Sequence, residues 1–180
     1  MADSIPLSEA RSLVARAKAG DLGALEHLYR AYERGVYTLA RRLTRTAEDA
    51  EDVLQETFLE VCRSLSSWRG DGSLWGWIRT IAASKALMRY RREKIREAEA
   101  LDDDEAFGAP GDDVPLRLDL EGALGRLSER TRAVVWLHDV EGYTHEEIAE
   151  LMGMTTSFSK SQLARAHTRL RKWLGEEVLG

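Results

Sequence analysis

The stretch 97–121 limits what this chain can fold into more than any other. It carries ten acids against the single cation Arg117, with Gly108, Pro110, Gly111 and Pro115 among them. Such a segment has little to bury and many like charges, so it reads as a tether rather than part of a core. About 20 flexible residues span roughly 25 Å root-mean-square, and like charges extend them further. A chain of 180 residues broken in this way is expected to form two small bodies. We place the boundaries at 1–96, 97–118 and 119–180.

Both bodies read as helical. β-branched runs are short, and no apolar–polar alternation persists. Ser8 is placed as the cap of a first helix through Ala19, closed by Gly20-Asp21. A second helix is expected from about Leu22 to Leu43, with Leu25, Leu28, Tyr32, Val36, Leu39 and Leu43 recurring at three and four. Thr46 caps a third, ending near Leu65, with Glu48 and Asp49 in its first turn, where the helix dipole favours acids. Ser66 to Ser73 is a break, and a fourth helix follows from Leu74 to about Arg96. Its Arg-Gly-Asp tripeptide reads as a turn before a helix, not an adhesive motif. In the second body, short helices are expected over Asp119 to Leu127 and from Ser128 to near Asp139. Thr144-His-Glu-Glu147 is a capping box opening a helix to Met152. Gly153 turns the chain, Thr155 caps, and a last helix runs to Leu174. The expected fold class is therefore all-α.

The net charge of −5 conceals a segregated pattern. Residues 48–60 hold Glu48, Asp49, Glu51, Asp52, Glu56 and Glu60 and no base. Residues 79–96 hold Arg79, Lys85, Arg89, Arg91, Arg92, Lys94 and Arg96 against Glu93. Residues 158–174 hold Lys160, Arg165, Arg169, Arg171 and Lys172 and no acid. Two basic helical stretches suggest two DNA-facing surfaces, and the acidic one suggests a surface for something else.

Thr144 to Leu174 has the helix-turn-helix pattern: a short capped helix, a glycine turn, then a longer basic helix. Its second helix is expected to present Lys160, Gln162, Arg165 and Arg169 away from Leu163, Ala166 and Leu170. The N-terminal end of such a helix meets base edges in the major groove. We take Gln162 as the base reader, Arg165 as base or phosphate contact, and Lys160 and Arg169 as phosphate contacts. Thr156, Ser157 and Phe158 are the alternative readers. In the first body, Trp68, Arg69 and Trp75 lie around the break, next to a basic helix. Aromatics interleaved with arginines suit unpaired bases. Trp68 and Trp75 are equally readable as core, whereas Trp77 opens an apparent core stripe with Ile81, Ser84 and Met88.

Other chemistries find little support. Cys62 is the only cysteine, so no disulfide or CxxC pair forms within the chain, which fits a reducing cytosolic setting. His27, His138, His145 and His167 lack metal-ligand spacing and read as surface or boundary residues. The acids of the tether lack a calcium-loop pattern. No catalytic set stands out, and neither cofactor nor metal is expected. The N-terminus lacks an apolar core, and no apolar run approaches membrane-spanning length, so a cytoplasmic protein without membrane insertion is expected.

Asp49-Ala-Glu-Asp-Val-Leu-Gln-Glu-Thr-Phe58, followed by Trp68-Arg-Gly-Asp-Gly-Ser-Leu-Trp-Gly-Trp-Ile-Arg-Thr-Ile-Ala82, resembles region 2 of the extracytoplasmic-function (ECF) group of the sigma-70 family. Leu127 to Gly153 resembles its region 4. The resemblance implies a two-domain transcription initiation factor whose partners are RNA polymerase core, through its β′ and β subunits, and promoter DNA. An anti-sigma factor is a further candidate partner. By the same resemblance, Asp49, Glu51, Asp52, Gln55 and Glu56 face a β′ coiled coil. Trp68, Arg69, Trp75, Arg79, Ser84, Lys85, Arg89 and Arg92 serve the −10 element, and Thr156, Ser157, Phe158, Lys160, Gln162, Arg165 and Arg169 serve the −35 element. Two departures stand out. Many members carry Asn where this chain has Ser84 and Met88, and the apolar residue usual early in the recognition helix is displaced by one at Phe158-Ser159. Phe158 then either packs back into the domain or lies toward DNA. Rival readings are a stand-alone helix-turn-helix regulator, which leaves the acidic helix unexplained, and a helical adaptor, which leaves the basic ones unexplained.

Overall fold

The structure is a computed structural model; it describes the backbone of residues 5–100 and 120–175, and side chains over 5–92 and 120–175. The chain divides into two compact units, Met1–Glu93 and Lys94–Gly180. Every regular element among the described residues is helical, and no helix among them is long and apolar enough to cross a membrane.

The first unit is built from α1 (Leu7–Lys18), α2 (Leu22–Leu43), α3 (Ala47–Ser64), a 3-10 turn (Leu65–Ser67) and α4 (Leu74–Ala100). Helix α2 has the expected limits and is capped by the Asp21 carboxylate, which accepts from the Ala24 amide. Helix α3 starts with a capping box: the Thr46 hydroxyl accepts from the Asp49 amide, and the Asp49 carboxylate accepts from the Thr46 amide. A good N-cap contributes about 0.5–2 kcal/mol. Ser8, by contrast, lies inside the first turn of α1, whose N-cap is Pro6 without a side-chain bond. The proline ring pre-sets φ and offers no amide needing a partner.

Helix α2 packs on α3 and on α1, burying Leu28, Tyr32, Val36 and Leu39 of α2, Val53, Phe58 and Val61 of α3, and Ala10, Leu13, Val14 and Ala17 of α1. Burying a side chain of this size contributes about 1.5–3 kcal/mol. Helix α4 buries Leu74, Ile78, Ala82, Ala83, Ala86 and Leu87. None of the expected stripe is in that set; the buried residues are its immediate neighbours, Ile78 and Ala82 following Trp77 and Ile81, and Ala83 and Leu87 preceding Ser84 and Met88. Trp77, Ile81 and Ser84 are half-buried and Met88 is exposed, while the small Ala82, Ala83 and Ala86 are inside with Leu74, Ile78 and Leu87. The helix also runs past the expected end near Arg96. Glu97-Ala-Glu-Ala100 consists of strong helix formers, and no breaker occurs before Gly108. The expected tether thus begins on helical backbone; its residues 101–118 lie outside the described residues.

The second unit holds α5 (Leu120–Gly125), α6 (Glu129–Val135), α7 (His145–Met152) and α8 (Thr156–Leu174). Ser128 caps α6. The helix expected to reach Asp139 changes at Trp136 into a π turn through Val140, with the Glu141 amide donating to the Trp136 carbonyl. Thr144 and Glu147 form the expected capping box. Gly153 sits at φ 63° and ψ 40°, the left-handed conformation that lets the chain turn sharply between α7 and α8. Leu137, Ile148, Leu163, Ala166, Leu170 and Leu174 fill the core.

Candidate functional surfaces

The acidic helix α3 divides into two faces. Ala50, Val53, Thr57, Phe58 and Val61 are buried, while Glu51, Gln55 and Glu56 are exposed. Asp49 and Asp52 are engaged within the unit. The Arg89 guanidinium of α4 donates to Asp49 at 2.7 Å and to Asp52 at 2.9 Å. One helical turn earlier on α4, Lys85 pairs with Glu60 of α3 at 3.2 Å. The hydroxyl of Thr46, then the guanidinium of Arg89, hold the Asp49 carboxyl below the usual carboxylate range, against the opposing effect of burial. The acidic stretch and the first basic stretch, separate in the sequence, face each other in the fold. Charge segregation in the sequence does not reveal that pairing.

Of the residues expected on the −10 side, Arg69 and Arg92 are exposed, and Arg79 and Ser84 are half-buried. Lys85 and Arg89 are the two ion-paired cations above. Trp68 is buried, at 7% exposure, so of the two readings left open for it the ring takes the core one, in a break held against α1. Trp75 is half-buried, with its ring stacked on Tyr32 at 5.9 Å between centroids and 14° between planes. Trp68 therefore follows the core reading, while Trp75 keeps part of its surface in solvent. The break itself, 66–73, is left with Ser66, Ser67, Arg69, Asp71, Gly72 and Ser73 at the surface. Two residues that sequence reasoning missed lie behind it, Arg11 and Lys18 of α1. Their spacing of seven, two helical turns on one face, was the signal available.

In the second unit, α8 shows Ser157, Lys160, Ala164, Arg165 and Thr168 to solvent, with Thr156 and Arg169 half-buried. Gln162 does not join them. It is 4% exposed, and its Oε1 accepts a hydrogen bond from the Thr131 hydroxyl of α6 at 2.8 Å. Our choice of base reader is therefore corrected: Gln162 is one residue from Leu163 around the helix and falls on the core side. The question at Phe158-Ser159 is also answered. Ser159 is completely buried, with its hydroxyl 3.0 Å from Nδ1 of His145. Phe158 is half-buried beside the Arg130 guanidinium, 5.9 Å from the ring centroid. The register keeps a small polar residue inside and moves the ring to the rim against α6.

Two of the four histidines converge on Asp139 and a third stacks on one of them, which their sequence spacing does not suggest. His167 Nε2 lies 2.6 Å from one carboxylate oxygen, and His138 Nδ1 lies 2.8 Å from the other. The His138 and His145 rings stack at 4.5 Å. Among the described residues no group of His, Cys, Asp and Glu has the arrangement to hold a metal ion.

With two helical units, an acidic face and a basic helix-turn-helix established, comparison with known proteins becomes decisive. Residues 28–95 match the family model for Sigma-70 region 2, and residues 117–170 match the model for Sigma-70, region 4. The chain belongs to the sigma-70 family, in its ECF group. It is an RNA polymerase sigma factor that directs transcription initiation. ECF sigma factor SigM of Mycobacterium tuberculosis (strain H37Rv) is 34% identical over 163 residues, covering 91% of this chain and 83% of that protein. CarQ, a sigma factor of Myxococcus xanthus, is 34% identical over 165 residues, covering 89% and 95%. Among solved structures, RpoE from Bartonella quintana in complex with the anti-sigma factor NepR matches with a TM-score of 0.56 at 23% identity, covering 84% of this chain and 97% of that one. CnrH in complex with the cytosolic domain of CnrY matches with a TM-score of 0.55 at 22% identity, covering 93% and 97%. These two likenesses concern the fold.

As a sigma factor the protein binds polymerase core and promoter DNA. The region 2 match begins at residue 28, so α1 stands outside it. The region 4 match contains α5, α6, α7 and all of α8 but its last turn.

Proposed function

We propose a division of labour within this sigma factor in which residues 1–96 bind core and the −10 element, 97–118 form a tether, and 119–180 read the −35 element. In the first body, Glu51, Gln55 and Glu56 meet the β′ subunit directly, and Asp49 and Asp52 meet it with Arg89 alongside. The observation that carries this reading is the two-sided character of α3: an apolar buried face opposite acids and an amide left in solvent. Charge reversal by Glu56→Lys should weaken core binding while the melting temperature stays near that of the parent, because Glu56 is exposed. Unchanged affinity in a core pull-down would remove the assignment.

For the −10 element, Arg69 and Arg92 are the accessible cations, and Lys85 and Arg89 become available to phosphate only if their acidic partners are engaged elsewhere. For the −35 element, Lys160 and Arg165 take over the role first given to Gln162. Arg165 is the base-contacting candidate and Lys160 the phosphate contact, with Ser157 and Thr156 at the helix N-terminus. A good bidentate arginine–guanine pair is worth about 1–3 kcal/mol of discrimination. Phe158, held against Arg130, contributes shape at the rim rather than base readout.

The likeness to RpoE, solved with the anti-sigma factor NepR, supports an anti-sigma partner for this chain. The protein acts by binding rather than by catalysis, and in the cytoplasm, where polymerase works.

A further inference from the structure

The break between the 3-10 turn and α4 is held by cations from a helix distant in sequence. Arg11 of α1 donates from Nε to the Gly70 carbonyl at 2.8 Å, and its Nη2 reaches the same oxygen. Two turns along α1, the Lys18 ammonium donates to the Trp68 carbonyl at 3.3 Å and lies 3.5 Å from that of Ser66. Three alternate carbonyls of one irregular segment, 66, 68 and 70, thus share two side chains on one face of α1. A segment without a regular backbone ladder must find partners for such groups, and charge-assisted bonds are the strong kind. They also lie just past the C-terminus of α3, where the helix dipole favours cations.

The clamp determines shape. Gly70 has φ +79°, a region that side chains rarely adopt, and a Cβ there would come within 3.3 Å of Arg11 Nε. Trp68 is buried as a wedge next to it, 3.7 Å from that same point. With alternate backbone groups pinned and Trp68 inside, Arg69 and Asp71 are left exposed on either side of Gly70.

We propose that Arg11 and Lys18 are positioning residues for promoter opening: through the carbonyls of residues 66–70 they set the loop conformation that receives unpaired bases of the −10 element. The inference rests on the reading of 66–73 as part of the −10 surface. It adds α1, which lies outside the region 2 match, to the parts that determine −10 selectivity. Neither residue touches DNA; both act through the loop. A loop preformed in the binding shape needs no ordering when a base enters, which is the physical gain of the clamp.

The test uses holoenzyme assembled from core and the full chain, with Arg11→Ala, Arg11→Lys and the loop variant Asp71→Ala. Two readouts are taken: −10 preference from a library randomised only there, and the rate of strand opening from permanganate reactivity of unpaired thymines. Arg11→Ala should flatten the −10 preference and slow opening roughly tenfold, the scale set by one lost charge-assisted bond, with core affinity and −35 preference unchanged. Arg11→Lys should recover part of both, because an ammonium can still donate to the Gly70 carbonyl. If Asp71→Ala alters the −10 preference but Arg11→Ala leaves it as in the parent, the clamp has no positioning role and the proposal is overturned while the loop reading stands. If neither variant alters it, the loop reading fails and takes the proposal with it. A lowered melting temperature for Arg11→Ala with parental −10 preference in the folded protein also overturns it.

Discussion

The Thr131 hydroxyl donates to Gln162 Oε1 at 2.8 Å, tying α6 to the middle of the recognition helix α8. Both residues are buried, so the bond is structural. Gln162→Ala removes the acceptor and leaves a cavity, and should destabilise the second unit by about 1–3 kcal/mol. Thermal melting of the full chain should show the loss, and −35 preference should be retained by the folded protein. A parental melting temperature together with a changed −35 preference would restore Gln162 as the base reader.

Arg165 is exposed one turn further along α8 and is expected to read a base. Arg165→Ala should change the sequence logo at one −35 position. Lys160→Ala should weaken all promoters alike and lower the salt slope of binding by about one unit. A uniform effect from Arg165→Ala would make it a phosphate contact.

The capping box and Arg89 hold the Asp49 carboxyl below its usual range. A depressed folded-state pKa gives stability that is present above the unfolded value, near 3.9, and lost as pH falls through the folded one. Asp49→Asn should therefore be less stable than the parent at neutral pH, and the difference should shrink once acidification passes below about pH 4. Melting curves across that range test it; a difference independent of pH would show that the charge is not the source.

His145 behaves in a related way. Burial, then the neighbouring His138 and Lys160, hold its imidazole below the usual histidine range, against Glu146 and Asp139. The unfolded chain takes up this proton near pH 6.5 and the folded chain only at lower pH. Stability should accordingly decline as pH falls below about 6.5. His145→Gln should flatten that part of the profile. The same decline in the variant would assign it to other groups.

The helices were legible because their caps are local: Thr46, Ser128, Thr144 and Thr155 each act within three residues of themselves, and Asp21, read as a break, caps α2 in the same way. The two-unit organisation was legible from composition. Facing was harder to read. Gln162 lies one 100° step from half-buried Ser161, and a polar side chain gives no signal that a buried hydroxyl awaits it on another helix. Trp68 was ambiguous for the same reason, since its burial depends on α1, some 50 residues earlier. The Arg89–Asp49 pair and the Arg11–Gly70 bond join positions 40 and 59 residues apart, and no local pattern encodes either. On α4 the buried face holds three alanines, Ala82, Ala83 and Ala86, and such small residues give little apolar periodicity by which to tell it from the neighbouring face of Trp77 and Ile81.

The most direct test of the account is run-off transcription on a genomic promoter library with purified core, with and without this chain. Transcripts should require both components and start downstream of a shared pair of −35 and −10 sequences. Absence of chain-dependent transcripts, with the chain alone selecting a duplex sequence, would contradict it and favour a stand-alone regulator.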